Sequence, residues 1–450
     1  MDAFNENSNE QQAQQPMGCL HRFSKTIKVV IIGLLILLLM IPMFMIENLI
    51  SERGRTQEEA IDEVSEKWSL AQTITGPYLN LQYPVVTENN GEKKVSIKDL
   101  ILFPDELMVN GQLKTEILKR SIYEVNVYQS ELTLKGSFSS EELKKSRIDM
   151  DQLQFDRAAI CLNLTDMRGI SEQISITLGD SVYIFEPGMD NRGIANTGVH
   201  AIANLSELKQ NKKLPYEIKI KLKGSQSLNF IPLGKTTRVD LKANWNTPSF
   251  TGNYLPNNRN ITEKEFSAQW QVLNLNRNYS QVMVDFNTSN IKDIESSSFG
   301  VNFKIPVEQY QQSMRSAKYA ILIILLTFGV IFFTEIMNKT RIHALQYLLV
   351  GLALCLFYSL LLSFSEHVGF NPAYLLSSAL TIILVGGYMF GITKKKKPSL
   401  IMSGLLGILY LYIFVLIQLE TFALLAGSLG LLIILAMVMY FSKKIDWFNE

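Results

Sequence analysis

The stretch Ile27–Ile46 reads IKVVIIGLLILLLMIPMFMI and is apolar apart from Lys28. A helix needs about 20 mostly apolar residues to cross the hydrocarbon core of a bilayer, and this stretch has that length. It is longer than the roughly 7–15-residue apolar part of a signal peptide. No small-residue cleavage site follows, because the chain continues with Glu47-Asn48-Leu49-Ile50. The sequence therefore predicts a retained signal-anchor helix within residues 21–47.

A second apolar region near the C-terminus divides into five further stretches of spanning length. They cover approximately residues 317–337, 345–364, 373–392, 399–418 and 421–441. Polar or charged segments separate them, such as 338–341 and 394–397. Together with the anchor, this bundle over 317–442 predicts a multi-pass α-helical membrane protein with six transmembrane helices.

The short flanks of these stretches differ strongly in positive charge, and cytoplasmic loops are enriched in Lys and Arg. If the N-terminus is inside, all the Lys and Arg residues of these short flanks lie on the inner side: Arg22, Lys25, Lys28, Lys339, Arg341, Lys394, Lys395, Lys396, Lys397, Lys443 and Lys444. The outer loops 365–372 and 418–421 carry none. This pattern predicts that both termini are cytoplasmic and that the insert 48–316 lies outside.

Period-two alternation of apolar and polar residues dominates the insert 48–316. Tyr216, Ile218, Ile220 and Leu222 alternate with Glu217, Lys219 and Lys221, and Val239–Ala243 repeats the pattern. Strands with one wet face are typical of antiparallel sheet, so we expect a large β-rich, mostly antiparallel extracytoplasmic domain. An amphipathic helix is predicted over 56–72, before the strands. A short helix is predicted at 139–146, from the capping-box spacing of Ser139 and Glu142.

The two ends of the chain are expected to be solvated tails. Residues 1–20 are rich in Asn and Gln, and such a segment cannot bury enough apolar surface to order itself. It is predicted to be a disordered cytoplasmic tail. Residues 443–450 follow the last apolar stretch and form the second cytoplasmic tail in this scheme.

The inventory of reactive side chains is small. The net charge is +1, from 43 Lys+Arg and 42 Asp+Glu, which argues against nucleic-acid binding. Of the four histidines only His200 falls in the insert, and Cys161 is its only cysteine, so a metal site is not expected there. No Walker A, dinucleotide-binding or nucleophile-elbow motif is present. The sequence therefore predicts no enzyme, no cofactor and no metal, with the lipid bilayer as the first partner.

Three ionisable residues near the apolar stretches are functional candidates, since charge close to lipid is costly and often functional. Glu335 lies near the inner end of the second stretch, and Glu366 and His367 follow the third at its outer end. The alternative is that such residues only cap helix ends at the interface. The inner and outer groups lie at opposite ends of a helix and cannot form one site directly.

Several blocks resemble the CreD family of bacterial inner-membrane proteins. They include Arg168-Gly169-Ile170, the Asn244–Trp270 region, Leu345–Leu352 (LQYLLVGL), Ser365-Glu366-His367 and Ile445-Asp446-Trp447. They occur in order along nearly the whole chain, although residues 1–20 have no counterpart. The resemblance implies a bacterial inner-membrane protein associated with cell-envelope integrity, and it carries no catalytic or ligand-binding residues. For the Asn244–Trp270 block, packing inside the domain is favoured over an exposed loop with two Trp residues.

Three functions follow from these observations. The first is a non-enzymatic inner-membrane protein that supports envelope integrity or the stress response, with a periplasmic domain that contacts envelope components or membrane-protein partners. The second is a transporter or channel component that uses the helices. The third is a membrane sensor whose outer domain binds an envelope ligand.

Overall fold

The computed structural model describes residues 24–89, 92–145, 148–189, 194–210, 212–284, 288–303, 305, 308–338, 341–419 and 422–443. The predicted tail 1–20 and all but the first residue of 443–450 lie outside the described residues. The described chain divides into two compact units. One comprises residues within 1–56 and 307–450, and the other comprises residues within 57–306.

The helices belong mostly to the first unit. In chain order they are α1 (Ser24–Trp68), α2 (Thr288–Ser296), α3 (Glu308–Lys318), α4 (Ala320–Asn338), α5 (Ala344–Val368), α6 (Phe370–Thr393), α7 (Lys396–Gln418) and α8 (Ala423–Ser442). α1 starts in the first unit and ends in the second, whereas α2 lies wholly in the second. Pro42 lies inside α1 without ending it, as is tolerated in apolar helices of this kind.

Within the described part of the chain, five helices have the length and composition needed to cross a membrane: α1, α4, α5, α6 and α7. They match the anchor and the next four predicted stretches. The last predicted stretch, 421–441, is helical as α8, but its described apolar part, Leu424–Met437, is shorter than the others. Five of the six predicted membrane-spanning helices are therefore confirmed as long and apolar enough, and the sixth is not.

The second unit consists of two β-sheets. Its strands are β1 (Gln72–Asn89), β2 (Glu92–Leu102), β3 (Glu106–Arg120), β4 (Tyr123–Phe138), β5 (Ala158–Leu164), β6 (Ser175–Leu178), β7 (Ser181–Ile184), β8 (Glu186–Pro187), β9 (Gly198–Ala203), β10 (Leu214–Ser225), β11 (Ser227–Phe230), β12 (Thr236–Ala243), β13 (Ser249–Gly252), β14 (Asn258–Ile261), β15 (Phe266–Leu273), β16 (Val282–Val284) and β17 (Phe299–Asn302). The nine-stranded sheet runs β13-β17-β11-β1-β5-β9-β8, with β2 paired to β1 and β16 to β2. The eight-stranded sheet runs β14-β15-β12-β3-β4-β10-β6-β7.

The two sheets share one large apolar core. β10 shows how the sequence produces it, because Ile218 and Ile220 are buried while Lys219 and Lys221 are exposed. Leu81 of β1 and Val109 of β3 join the same core from the two sheets. The alternation in the sequence therefore identified the buried face of β10 correctly.

Three expectations about local structure hold only in part. Most of the described strand pairs are antiparallel, as expected, but the sheets are mixed, since β1 pairs with β11 and β3 pairs with β12 in parallel. The amphipathic segment predicted over 56–72 is the last part of α1, which ends at Trp68, and β1 begins at Gln72. The helix predicted at 139–146 is only a single 3₁₀ turn, Leu143–Lys145, in the described residues.

Candidate functional site

The three predicted functional residues lie at the two ends of α5. Glu335, in the last turn of α4, comes to the N-terminal end of α5, and Glu366 and His367 lie in the last turn of α5 itself. Because the ends of a 25-residue helix are separated by about 1.5 Å per residue, these are two separate places. The expectation that they cannot form one site agrees with this geometry.

At the N-terminal end of α5, Glu335 joins three helices. Its Oε1 contacts the Lys28 ammonium of α1 and accepts a hydrogen bond from Ile342 N at 3.2 Å. Its Oε2 accepts from the Tyr347 hydroxyl of α5 at 3.1 Å. The Lys28 ammonium also donates to Ile342 O at 3.1 Å. We call this group of Lys28, Glu335, Ile342 and Tyr347 the Glu335 cluster.

The burial of the Glu335 cluster explains why it needs these contacts. The Glu335 side chain is only 11% exposed, whereas that of Lys28 is 29% exposed. A buried carboxylate is stable only if it is paired and hydrogen-bonded, and both Glu335 oxygens have donors. The cluster therefore connects α1 and α4 to the start of α5, and its polar groups satisfy one another's hydrogen bonds.

At the C-terminal end of α5, Glu366 connects two further helices. Its Oε1 accepts a hydrogen bond from the Tyr310 hydroxyl of α3 at 3.0 Å. The Arg53 Nε of α1 lies 3.9 Å from the same oxygen, a longer ion pair. The Glu366 side chain is 12% exposed and Tyr310 is buried. An ion pair thus joins α1 to α4 beside the N-terminal end of α5, and a second one joins α1 to α5 at its C-terminal end.

The histidines have different surroundings. His367 is exposed at the end of α5 and takes no part in the Glu366 contacts. His343 caps α5, because its Nδ1 accepts from Leu345 N at 3.2 Å. His200 of β9 is buried, with its Nδ1 2.7 Å from Gly188 O. Among the described residues, no group of three or more His, Cys, Asp or Glu side chains could hold a metal ion.

A buried carboxylate in the β domain escaped the sequence analysis. Asp166 accepts hydrogen bonds from Leu70 N at 2.9 Å, from Arg168 N at 3.0 Å and from Arg168 Nε at 2.9 Å. Arg168 Nη1 in turn donates to Glu66 O at 2.6 Å, near the end of α1. Burial alone would raise the pKa of Asp166, but the hydrogen bonds from Arg168 and Leu70 outweigh it and lower that pKa.

This network explains the Arg168-Gly169-Ile170 block. A Cβ atom on Gly169 would lie 2.3 Å from Lys223 O and 2.7 Å from the Gln72 side-chain nitrogen, so only glycine fits. Gln72 also donates to Asp166 O at 2.7 Å. The block holds the segment between α1 and β1 in place. An acidic residue two positions before an arginine was the only signal in the sequence, and it is too common to be specific.

Arg277 is a second functional candidate that sequence reasoning missed. Its guanidinium lies 4.5 Å from the centre of the Tyr279 ring and 5.6 Å from that of Phe103. Burial lowers the pKa of Arg277, and its Nε and Nη1 have no hydrogen-bond partner among the described residues. A hydrogen bond from its Nη2 to the Gln281 side-chain oxygen and stacking on the two rings compensate for its burial.

The β1–β2 hairpin carries exposed apolar side chains on one face. Pro84 lies opposite Ile97 and Val86 opposite Val95 in the antiparallel register, so the four share a face. Val86, Val95 and Ile97 are 60–62% exposed. We call Pro84, Val86, Val95 and Ile97 the hairpin patch. Contiguous exposed apolar side chains of this kind mark interaction surfaces more often than isolated ones do.

The aromatic side chains of the Asn244–Trp270 block pack against the core of the domain, as favoured from the sequence, although residues 257–265 are exposed. Trp270 is 2% exposed and its ring lies 5.7 Å from that of Phe250 and 5.9 Å from that of Phe299. The Asn244 side chain accepts from Thr115 N at 2.7 Å. The block therefore stabilises the domain and does not form an exposed aromatic loop.

Comparison with known proteins identifies the family. The family model described as "Inner membrane protein CreD" matches residues 24–448. A protein named inner membrane protein CreD, from Escherichia coli, is 32% identical over 420 residues, which cover 92% of this chain and 91% of that protein. Both the match to the model and the similarity to this relative extend across the helices and the β domain. The chain therefore belongs to the CreD family of inner-membrane proteins.

Proposed function

We propose that the chain is a multi-pass inner-membrane protein that supports the integrity of the cell envelope without being an enzyme. Its β domain lies in the periplasm and contacts an envelope component or a membrane-protein partner, and both of its termini are cytoplasmic. Family membership supports the membrane and the envelope context. The distribution of Lys and Arg in the short flanks of the helices supports the orientation.

The hairpin patch is the observation that carries this proposal. It presents apolar side chains on a domain that already has a complete core, so the patch has no role in stabilising that core. Lys93, also exposed, lies next to Val95 on the same face of β2 and supplies a polar rim. A protein or envelope surface with apolar groups fits this arrangement.

Site-specific photo-crosslinking in living cells tests the contact. A photoreactive amino acid at Val95 is expected to capture defined species, and one at Lys219, exposed on β10 of the other sheet, is the control. Ile97→Lys should abolish the captures while leaving the fold unchanged, since surface substitutions cost little stability. If Val95 and Lys219 capture the same species, or if Ile97→Lys has no effect, the patch is not the contact surface.

Cysteine labelling tests the orientation. Native Cys161 and Cys355 are buried, so a background with Cys19→Ser is suitable for adding single cysteines. An impermeant reagent added outside the inner membrane should label Lys219→Cys and not Lys395→Cys. The reverse pattern would place the β domain in the cytoplasm and would remove the basis for an envelope contact.

The two ends of α5 support a positioning role for Glu335 and Glu366, which tie α1 to the other helices. Coupled transport is the competing role for these carboxylates. In sealed vesicles of purified protein, proton or ion flux that vanished in Glu335→Gln and Glu366→Gln would favour transport. We expect no such flux and a loss of thermal stability instead. His367, which is exposed beside Glu366, remains a functional candidate from the sequence.

A further inference from the structure

An apolar cavity lies between α4, α7 and α8. Its volume is about 350 Å³, at the lower end of the range for ligand-binding sites. Its lining includes Leu326, Gly329, Ile408, Tyr412, Ile433 and Met437. All of these residues belong to the same compact unit of the chain.

The wall of the cavity offers nothing that would hold water. Of the lining side chains only that of Tyr412 carries an oxygen or nitrogen, and its hydroxyl already donates to Ala426 O at 2.8 Å. An internal water needs about two to four polar partners, and apolar cavities of this kind stay dry or take apolar ligands. Hydrocarbon is therefore the chemistry that fits the site.

The cavity opens on the surface of the helices. Four of its lining residues, Leu325, Ile408, Ile433 and Met437, are 49–68% exposed. α4 and α7 are both apolar enough to span a membrane, so the opening faces the hydrocarbon region of the bilayer. The molecules that reach it there are the chains of the surrounding lipids.

We propose that this cavity is a binding site for one acyl chain of a bilayer phospholipid. The proposal rests on the placement of α8 in the membrane beside α4 and α7, which is part of the proposed function, and not on the contact made by the β domain. Binding is favourable because the acyl chain fills the cavity and makes dispersion contacts with its apolar lining, contacts that an empty cavity lacks. The bound acyl chain thus lies between three helices, in contrast to the ordinary lipids that surround the helices.

Two glycines shape the site in different ways. A Cβ atom on Gly430 would lie 1.8 Å from the Tyr412 hydroxyl, so glycine allows the Tyr412 ring to lie against α8. At Gly329 no atom lies within 4 Å of the Cβ position, so a larger side chain there would enter the cavity without a clash at its first atom. Gly329 is therefore the position at which the cavity can be filled by substitution.

Photolabelling tests the proposal directly. The full-length protein is placed in nanodiscs with a phospholipid that carries a diazirine on its acyl chain, and the labelled peptides are mapped. Label should concentrate on α4, α7 and α8 at the cavity residues, above the level on the exposed face of α6. Gly329→Phe should reduce the cavity label several-fold. Gly404→Phe is the matched control, since Gly404 lies on α7 with no atom within 4 Å of its Cβ position and does not line the cavity.

Each outcome has a definite meaning. Even label over all lipid-facing helices, or cavity label unchanged in Gly329→Phe, would overturn the proposal and leave only ordinary surrounding lipid. If Gly329→Phe unfolds, Gly329→Leu and Leu326→Phe fill the same space and must give the same reduction. Failure here with intact crosslinking from Val95 would leave the envelope contact standing. The opposite combination would leave the lipid site standing.

Discussion

Asp166 is a buried carboxylate whose charge is stabilised by hydrogen bonds inside the β domain. It is 7% exposed and its oxygens accept from Leu70 N and from Arg168. Asp166→Asn replaces an acceptor oxygen by a donor and should lower the free energy of unfolding at pH 7 by roughly 1–3 kcal/mol. Thermal or denaturant unfolding followed by Trp fluorescence measures this. Asp156→Asn, at an exposed carboxylate, is the control and should change little.

The pH dependence of this effect has a definite sign. The pKa of Asp166 is lowered in the folded state from its ordinary value of 3.8. A lowered pKa means that the stabilisation is present above about pH 4 and is lost as the pH falls through the folded-state value. The difference in stability between the natural protein and Asp166→Asn should therefore shrink below about pH 4. A difference that stays constant down to acid unfolding would contradict the assignment.

The Glu335 cluster predicts an asymmetry between its two charged partners. Lys28→Met leaves the nearly buried Glu335 carboxylate without its cation, a loss worth up to roughly 3–5 kcal/mol. Glu335→Gln should cost less, because Gln keeps an acceptor for Ile342 N and the partly exposed Lys28 can extend toward water. Thermal unfolding in mild detergent should rank Lys28→Met below Glu335→Gln. The reverse order would show that Lys28 adds little to the cluster.

At the scale of elements, Gly351 sets the distance between α1 and α5. A Cβ atom on Gly351 would lie 2.1 Å from Leu39 Cδ1 and 3.0 Å from the Phe328 ring. Gly351→Leu should therefore separate the helices and lower stability by roughly 1–3 kcal/mol, as overpacking does. Gly387→Leu, at an open glycine of α6, should be nearly neutral. Both are measured by thermal unfolding in detergent.

A second substitution distinguishes a local clash from general damage. Leu39→Ala removes the side chain that meets position 351, so it should rescue part of the loss in Gly351→Leu. Residues in contact show such coupling in double-mutant cycles, whereas distant residues do not. Additive effects of the two substitutions would mean that α1 and α5 do not meet at this position.

The sequence predicted individual strands and helices better than it predicted which of them pair or pack together. Alternation at residues 239–243 identified β12, because burial of every second side chain needs only local information. The parallel pairing of β12 with β3 could not be predicted, since it joins residues more than a hundred positions apart, such as Val239 and Val109. At Leu143–Lys145 a local signal misled the prediction. The capping-box spacing predicted a helix over 139–146, but the described residues form only a single 3₁₀ turn there.

The same limit applies to the candidate site. Charge beside apolar stretches singled out Glu335 and Glu366 as candidates, but their partners Lys28 and Tyr310 lie far away in sequence and could not be predicted. The close approach of α6 and α7 is a further example, since the Cβ position of Gly386 lies 2.1 Å from the Ser403 Oγ and no local pattern pairs these two residues. Periodicity predicts which face of a helix is buried, whereas the residues that pack against that face depend on the arrangement of all the helices.

At the scale of the whole molecule, the β domain should fold without the spanning helices. The apolar core shared by its two sheets consists of residues between 74 and 303, inside the unit 57–306. We expect a fragment of residues 57–303 to be soluble without detergent and to unfold in one cooperative transition. Size-exclusion chromatography and circular dichroism during heating measure this. Aggregation, or the absence of a transition, would show that the unit depends on the rest of the chain.

The end of α1 provides the matched control for this fragment. Trp68 Nε1 donates to Tyr128 O at 3.5 Å and its ring lies under Lys223, while Glu63 pairs with Arg120 at 3.1 Å. A fragment of residues 72–303 lacks these contacts and the Leu70 N donor to Asp166. It should therefore melt at a lower temperature than 57–303, and Asp166→Asn should have a smaller effect in it. Equal melting temperatures would mean that the last turns of α1 are not part of the domain, and that the helix only leads the chain into the first strand.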